Sequence, residues 1–329
     1  MEPVRYVVYG AGAVGGVIGG HLFLAGRAVS LVARGAHLAA IREGGLRLDT
    51  AGGMHRIVAP ATDTAADLDW TPDTAVILAV KSHQAGQALA DLRNHAPQET
   101  AIVCATNGVA TEVTALRQFG RVYGLCVMLP ATHLRPGEVV AKCAPTPGIL
   151  DIGRIPGGTD EVTTAVGADL RAAGFESEER PDILAWKRRK LLLNIGNGVD
   201  ASFQQGDAAD ELAQRAVAEG ERVLAASGVS LVSAADDSAR RGSILQRRGD
   251  LEPQGGSTWQ SLRRGTGDTE IDYLAGEIVL QGRLHGTPAP ACEAIVAATR
   301  GLASSGGGPR SLDAAVVLDD LDQRRSRAK

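Results

Sequence analysis

Apolar positions along the chain follow two rhythms. Up to about residue 181 they come in short continuous runs, rich in Val, Ile, Tyr and Cys, at 4–9, 28–33, 75–80, 100–105, 122–128, 138–142 and 148–152. Runs of this length, bounded by turn residues, predict buried strands of a mostly parallel sheet. Shorter strands are expected at 46–48 and 55–58, around the turn signal Gly52-Gly53. A helical pattern at Val14, Val17, Ile18, Leu22 and Leu24 follows the first run, and another covers 159–173. Beyond Arg180-Pro181 the strand signal fades. Helices are expected at 184–201 and 212–227, and a mixture of polar helix and loop at 238–263. Thr269-Glu270-Ile271-Asp272 has capping-box spacing, so a helix is expected to start there and to carry Ile271, Leu274, Ile278 and Val279 inward. Gly286 and Pro288 stop it, and a last helix covers 291–302. The pattern therefore predicts an α/β fold: a Rossmann-type dinucleotide-binding domain over 1–181 and a mostly helical domain over 182–303. Residues 304–329, which open on a Ser/Gly-rich run and end in a polar one, are expected to be a flexible tail.

The first strand runs into Gly10-Ala11-Gly12-Ala13-Val14-Gly15 and a helix. Strand, glycine turn and helix form the context in which G-x-G-x-x-G signals dinucleotide binding. Gly10 permits the tight turn, Gly12 lets backbone approach a pyrophosphate, and Gly15 lets the helix pack close to the strand. The helix N-terminus adds N–H groups and a partial positive charge. Arg34 stands at the end of the second strand, and no Asp or Glu occurs between Gly15 and Arg34. A carboxylate there would bind the ribose 2′-OH of NAD, whereas a guanidinium matches a 2′-phosphate, so NADP(H) is the expected cofactor.

Composition narrows the class. Aromatic residues make up only 3% of the chain, so its core must rest on Ala, Val, Leu and Ile. A net charge of −4 gives no reason to expect nucleic acid, and no run of about 18 apolar residues predicts a membrane span. Cys104, Cys126, Cys143 and Cys292 form no C-x-x-C pair and read as small buried hydrophobes in a reducing compartment. With no leader pattern at the first residues, a cytoplasmic location is expected. His21, His37, His55 and His95 have no acidic or Cys neighbours spaced for a metal, and none is expected; His83 and His133 fall near the expected cofactor rim.

The chemistry-bearing residues fall in two places. Lys81 and Asn107 each sit just beyond a buried strand, where open α/β sheets bind ligands. Lys190, Asn194 and Asn197, at i, i+4 and i+7, share one face of an apolar helix. Buried amides need partners. On spacing alone these could serve a polar substrate or interhelical hydrogen bonds.

Taken in order, Gly10-x-Gly12-x-x-Gly15, Arg34, Val80-Lys81-x-x-Gln84, Asn107-Gly108, Lys190-x-x-x-Asn194, Ser257 before Trp-Gln, and Thr269-Glu270-Ile271-Asp272 resemble the ketopantoate reductase (2-dehydropantoate 2-reductase) family over nearly the whole chain. The resemblance implies NADPH-dependent reduction of a 2-oxo acid. It makes Lys190 the catalytic lysine, Asn194 and Ser257 substrate contacts, and Asn107 a contact to both substrate and cofactor. Lys81 becomes a cofactor contact, and Glu270 a carboxylate near the cofactor ribose and the catalytic lysine. Lys187 competes with Lys190 but lacks the family spacing to Asn194. The family's second asparagine lies four residues after the first; here Gly198 stands there and Asn197 precedes it. That departure leaves open another 2-oxo or 3-hydroxy acid as substrate. A nucleotide-binding regulator without turnover is the alternative from another class, and a homodimer stays open.

Overall fold

The computed structural model describes residues 3–252, 255–265, 267 and 269–327. The chain divides into two compact units: Met1–Lys187 with Ser233–Leu251, and Arg188–Val232 with Glu252–Lys329.

The first unit carries β1 (Arg5–Tyr9), α1 (Ala13–Leu24), β2 (Ala28–Val32), α2 (Gly35–Gly44), β3 (Leu46–Thr50), β4 (Gly53–Ile57), β5 (Ala61–Thr62), β6 (Thr74–Leu78), α3 (Ala85–His95), β7 (Ala101–Cys104), α4 (Ala110–Leu116), β8 (Val122–Met128), β9 (Ala131–Thr132), β10 (Glu138–Ala141), β11 (Ile149–Arg154) and α5 (Glu161–Ala172). Seven strands form one sheet in the order β11-β8-β7-β6-β1-β2-β5. All its pairs are parallel except β11 with β8. The continuous apolar runs are thereby explained. In β6, β7 and β8 every residue is buried, because both faces of the sheet are covered. Strand β1 pairs with β2 on one side and β6 on the other, so chain order reverses there and the crevice at its carboxyl end is the expected ligand position. The short strands at 46–50 and 53–57 join β10 and β9 in a second sheet, β4-β3-β10-β9.

Helix α6 (Ile183–Ser202) contains the boundary between the units. The rest of the chain adds α7 (Asp207–Ala226), α8 (Ala234–Arg241), α9 (Ser257–Arg264), α10 (Ala275–Leu284), α11 (Pro290–Ser305) and α12 (Ala314–Arg327). In the second unit α7 packs on α6 through Gly220, where a methyl group would come within 2.6 Å of Leu192 and 2.9 Å of Ile195.

Three expectations are corrected. The stretch 304–329 is not a flexible tail throughout: α12 forms there, burying Ala314 and Leu318, and Asp322 Oδ1 accepts a hydrogen bond at 2.6 Å from Arg215 Nη1 of α7. Its apolar residues are concentrated in one short run, 314–318, and the polar remainder shows no helical period. Residues 233–251, expected in the helical domain, belong to the first unit, held there by Arg240 on Asp151, Arg248 on Asp49 and the Ala144 N–H on the Gln246 carbonyl. At 269–272 there is no capping box. Ile271–Tyr273 form one 3-10 turn, entered at Glu270 without a side-chain cap, and α10 begins at Ala275.

Candidate functional site

In the first unit the glycine turn is shaped by what a side chain would hit. Gly10 has φ +103°, and a methyl group there would lie 2.8 Å from the Val80 nitrogen just beyond β6. At Gly15 a methyl would fall 2.2 Å from the Gly10 carbonyl oxygen and 2.9 Å from Val8 of β1. At Gly12 it would meet only His133 Nδ1, at 4.0 Å. Gly12 caps α1 with no side-chain hydrogen bond, and no acidic residue stands in the first turn. Ala11 completes the turn, and Ala13 and Val14 open α1; the Gly10 and Ala11 N–H groups donate to the Val32 carbonyl at 3.0 and 2.9 Å. The open space beside Gly12, next to first-turn N–H groups that have no intrahelical acceptor, fits a pyrophosphate.

His37 on α2 braces the same loop. Gly137 N–H donates to its Nδ1 (2.9 Å), which leaves Nε2 to donate to the Ala11 carbonyl (2.7 Å). Burial pushes the His37 pKa below its usual value, consistent with this neutral tautomer. The His133 ring lies 4.1 Å from that of His37, centroid to centroid. Sequence reading passed over His37, because nothing in its neighbours signals a partner 26 residues earlier in the chain.

Arg34 is exposed at the N-cap of α2, where its Nη1 donates to Gln87 Oε1 at 3.3 Å. Lys81 opens a 3-10 turn over Ser82–Gln84. Ser82 Oγ donates to the Asn107 carbonyl at 3.3 Å, so the loops after β6 and β7, which carry Lys81 and Asn107, are tied together. The sequence did not single out Ser82, because nothing near it marks a partner 25 residues later in the chain.

In the second unit Lys190, Asn194 and Asn197 are all half-buried on α6. Asn197 Nδ2 donates to Asn194 Oδ1 at 3.3 Å, as their shared face requires. The start of α9 lies against the same face: the Gly256 N–H donates to Asp200 Oδ2 (3.3 Å), and a methyl at Gly256 would stand 3.2 Å from Asn197 Oδ1. Ser257, the next residue, is exposed in the first turn of α9. The departure at Gly198 has a packing cause. A methyl there would come 2.6 Å from Ile295 and 2.7 Å from Ile271, so a side chain at 198 would crowd both isoleucines. Glu270, half-buried, leads into the turn that carries Ile271. Among the described residues no group of three or more His, Cys, Asp or Glu is arranged for a metal, and no helix is long and apolar enough to cross a membrane.

Comparison with known proteins adds the family. A model described as ketopantoate reductase PanE/ApbA matches residues 6–157, and its C-terminal counterpart matches 182–303. A 2-dehydropantoate 2-reductase of Pyrococcus horikoshii is 27% identical, with 93% of this chain and all of the relative covered. The crystal structure of a PanE/ApbA family ketopantoate reductase from Ralstonia eutropha superposes with a TM-score of 0.76 at 26% identity, covering 92% of this chain and 99% of the other. A D-mandelate dehydrogenase solved with NADH and anilino(oxo)acetate shares the fold, with a TM-score of 0.80 at 21% identity over 92% of this chain and 99% of the other.

Proposed function

The chain belongs to the ketopantoate reductase family, and on that premise we propose that it reduces ketopantoate to pantoate with NADPH, with Lys190 as the general acid. NAD(P)-dependent reduction of a 2-oxo acid is the family's chemistry. The observation that carries the assignment to Lys190 is the line of Lys190, Asn194 and Asn197 along one face of α6, with the two carboxamides hydrogen-bonded to each other.

The nicotinamide, when bound, supplies the hydride. The chain's own residues do the rest. Gly10, Gly12 and Gly15 shape a turn that accepts the pyrophosphate at the start of α1. Arg34, oriented by Gln87, pairs with the 2′-phosphate, which a guanidinium can grip with two parallel hydrogen bonds. Lys81 and Asn107, tied through Ser82, hold the cofactor on the sheet side. The Lys190 ammonium donates a hydrogen bond to the ketone oxygen, stabilises the negative charge that develops there and delivers the proton. Asn194, Asn197 and Ser257 orient the substrate's polar groups, and Glu270 supplies a carboxylate near Lys190 and the ribose.

Lys190→Ala tests the assignment. Turnover should fall roughly 10²–10⁴-fold, the usual contribution of a positioned general acid, while NADPH binding by fluorescence titration stays intact. Undiminished turnover would reject Lys190. A panel of 2-oxo acids tests the substrate: if ketopantoate is reduced no better than pyruvate, the specific substrate is wrong and the coarser chemistry stands. For the cofactor, Arg34→Ala should weaken NADPH far more than NADH; equal losses would remove the 2′-phosphate argument.

A further inference from the structure

Lys187, the competitor of Lys190 in the sequence, turns out to be engaged elsewhere. Its side chain is 3% exposed, and its ammonium lies 2.6 Å from a carboxylate oxygen of Glu112, a residue of α4 that is itself 0% exposed. Nζ also donates to the Thr106 carbonyl (2.9 Å) and the Leu125 carbonyl (3.1 Å), and reaches the Cys104 carbonyl at 3.5 Å. Cys104 ends β7, Thr106 lies in the loop beyond it, and Leu125 lies in the neighbouring strand β8. One cation therefore holds the carboxyl end of β7 to β8 and fixes the peptide immediately before Asn107. The site is built for it. Gly124 on β8 leaves room for the lysine stem, since a methyl there would come 3.3 Å from Lys187 Cδ. Burying an ammonium is costly unless it is paired and its protons are satisfied, and the carboxylate of Glu112 with the two carbonyls meets that demand.

We propose that the Lys187–Glu112 pair is a positioning device for the Asn107 loop: it sets the backbone from which Asn107 reaches cofactor and substrate. The carbonyl on one side of Asn107, that of Thr106, is held by Lys187, and the carbonyl of Asn107 itself by Ser82, so the loop is pinned on both sides of its side chain. The pair touches neither reactant, and the inference rests on the reading of Asn107 as a ligand contact.

The test is a mutant cycle on the full chain. Lys187→Met with Glu112→Gln removes both charges together and avoids stranding one of them. With folding verified by circular dichroism, this pair of changes should raise the NADPH Kd about tenfold, the effect of losing one well-placed contact worth about 1.4 kcal/mol. In an Asn107→Ala background it should raise Kd little further, because both changes then act on one interaction. Amide hydrogen exchange at 106–108 should quicken. Gly124→Ala, which crowds the lysine stem and keeps both charges, should shift NADPH binding in the same direction and serves if the double variant does not fold. An unchanged Kd in the variants, or a full additional loss on top of Asn107→Ala, would overturn the proposal and assign the pair to stability alone. If Asn107→Ala by itself alters neither binding nor turnover, the reading of Asn107 fails and the positioning role falls with it.

Discussion

Gly12, the cap of α1, and Gly15, in its first turn, stand three residues apart, yet a methyl group would meet different surroundings at each. At Gly15 it would press on the Gly10 carbonyl at 2.2 Å, and backbone cannot yield as a side chain can. Gly15→Ala should therefore destabilise the fold by about 1–3 kcal/mol, the usual cost of overpacking, read as a lower urea midpoint. At Gly12 the nearest atom is 4.0 Å away and φ is −72°, which alanine adopts freely. Gly12→Ala should stay within about 0.5 kcal/mol of the parent in stability and still weaken NADPH. Equal effects of the two substitutions on stability would contradict a ligand-facing role for Gly12. At this scale the glycine turn was legible in the sequence, because its demand is local: strand, turn and helix are contiguous. Lys187 was set apart from Lys190 there only by the spacing to Asn194 that the family resemblance supplies. Both lie on the same helix, and the approach of Glu112, the end of β7 and the middle of β8, 62 to 83 residues away in the chain, shows where Lys187 is spent.

Elements were legible where apolar runs were long and buried on both faces, as in β6 and β8, and illegible where few side chains face inward. Helix α2 buries only Leu38 and Ile41, so its period barely shows in the sequence. It nonetheless carries His37, the brace of the glycine loop. The ring is neutral in the fold: burial lowers its pKa below the ordinary 6.5, and Nδ1 accepts the Gly137 N–H. The unfolded chain takes up a proton near 6.5, where the folded ring does not, so stability contributed here is present above that pH. It is lost as pH falls, until the folded ring protonates in turn. His21, also lowered by burial, adds a loss of the same sign. His37→Gln keeps a donor and an acceptor but does not titrate. Its unfolding free energy should lie below that of the parent at pH 7, and the gap should narrow toward pH 5. Parallel profiles for the two proteins would show that His37 is not the titrating brace. The loop contacts themselves were invisible to periodicity, because they join α2 to residues 26 earlier and 100 later.

At the scale of the whole molecule, chain order and compact units do not coincide, and the reason is a buried carboxylate. Asp151 on β11 is 1% exposed, and its charge needs more than the Glu178 N–H at 3.0 Å and Arg180 Nε at 3.2 Å. Arg240 of α8 completes the set, with Nη2 at 2.7 Å and Nε at 3.0 Å. A polar helix such as α8 looks like surface in the sequence, so its return to the first unit could not be read from hydropathy; the partner that draws it back is 89 residues away. Arg240→Ala should cost about 1.5–3 kcal/mol, the range for a hydrogen bond to a charged group, because Asp151 keeps part of its shell. Adding Asp151→Asn should recover some of that loss, since the group left behind is then neutral. The same logic applies to a cut at the apparent domain edge. A fragment of residues 1–181 lacks Arg240 for Asp151, Arg248 for Asp49 and the Gln246 carbonyl for the Ala144 N–H. It also lacks Lys187, the counter-charge of Glu112. Two buried carboxylates would then be under-compensated in a unit whose sheet is otherwise intact, so the fragment should unfold at a lower urea midpoint than the full chain and bind NADPH poorly. A fragment 1–181 with the parent's midpoint and undiminished NADPH affinity would mean that the contacts made by 233–251 and Lys187 are dispensable, and that the edge read from the sequence was a true domain boundary.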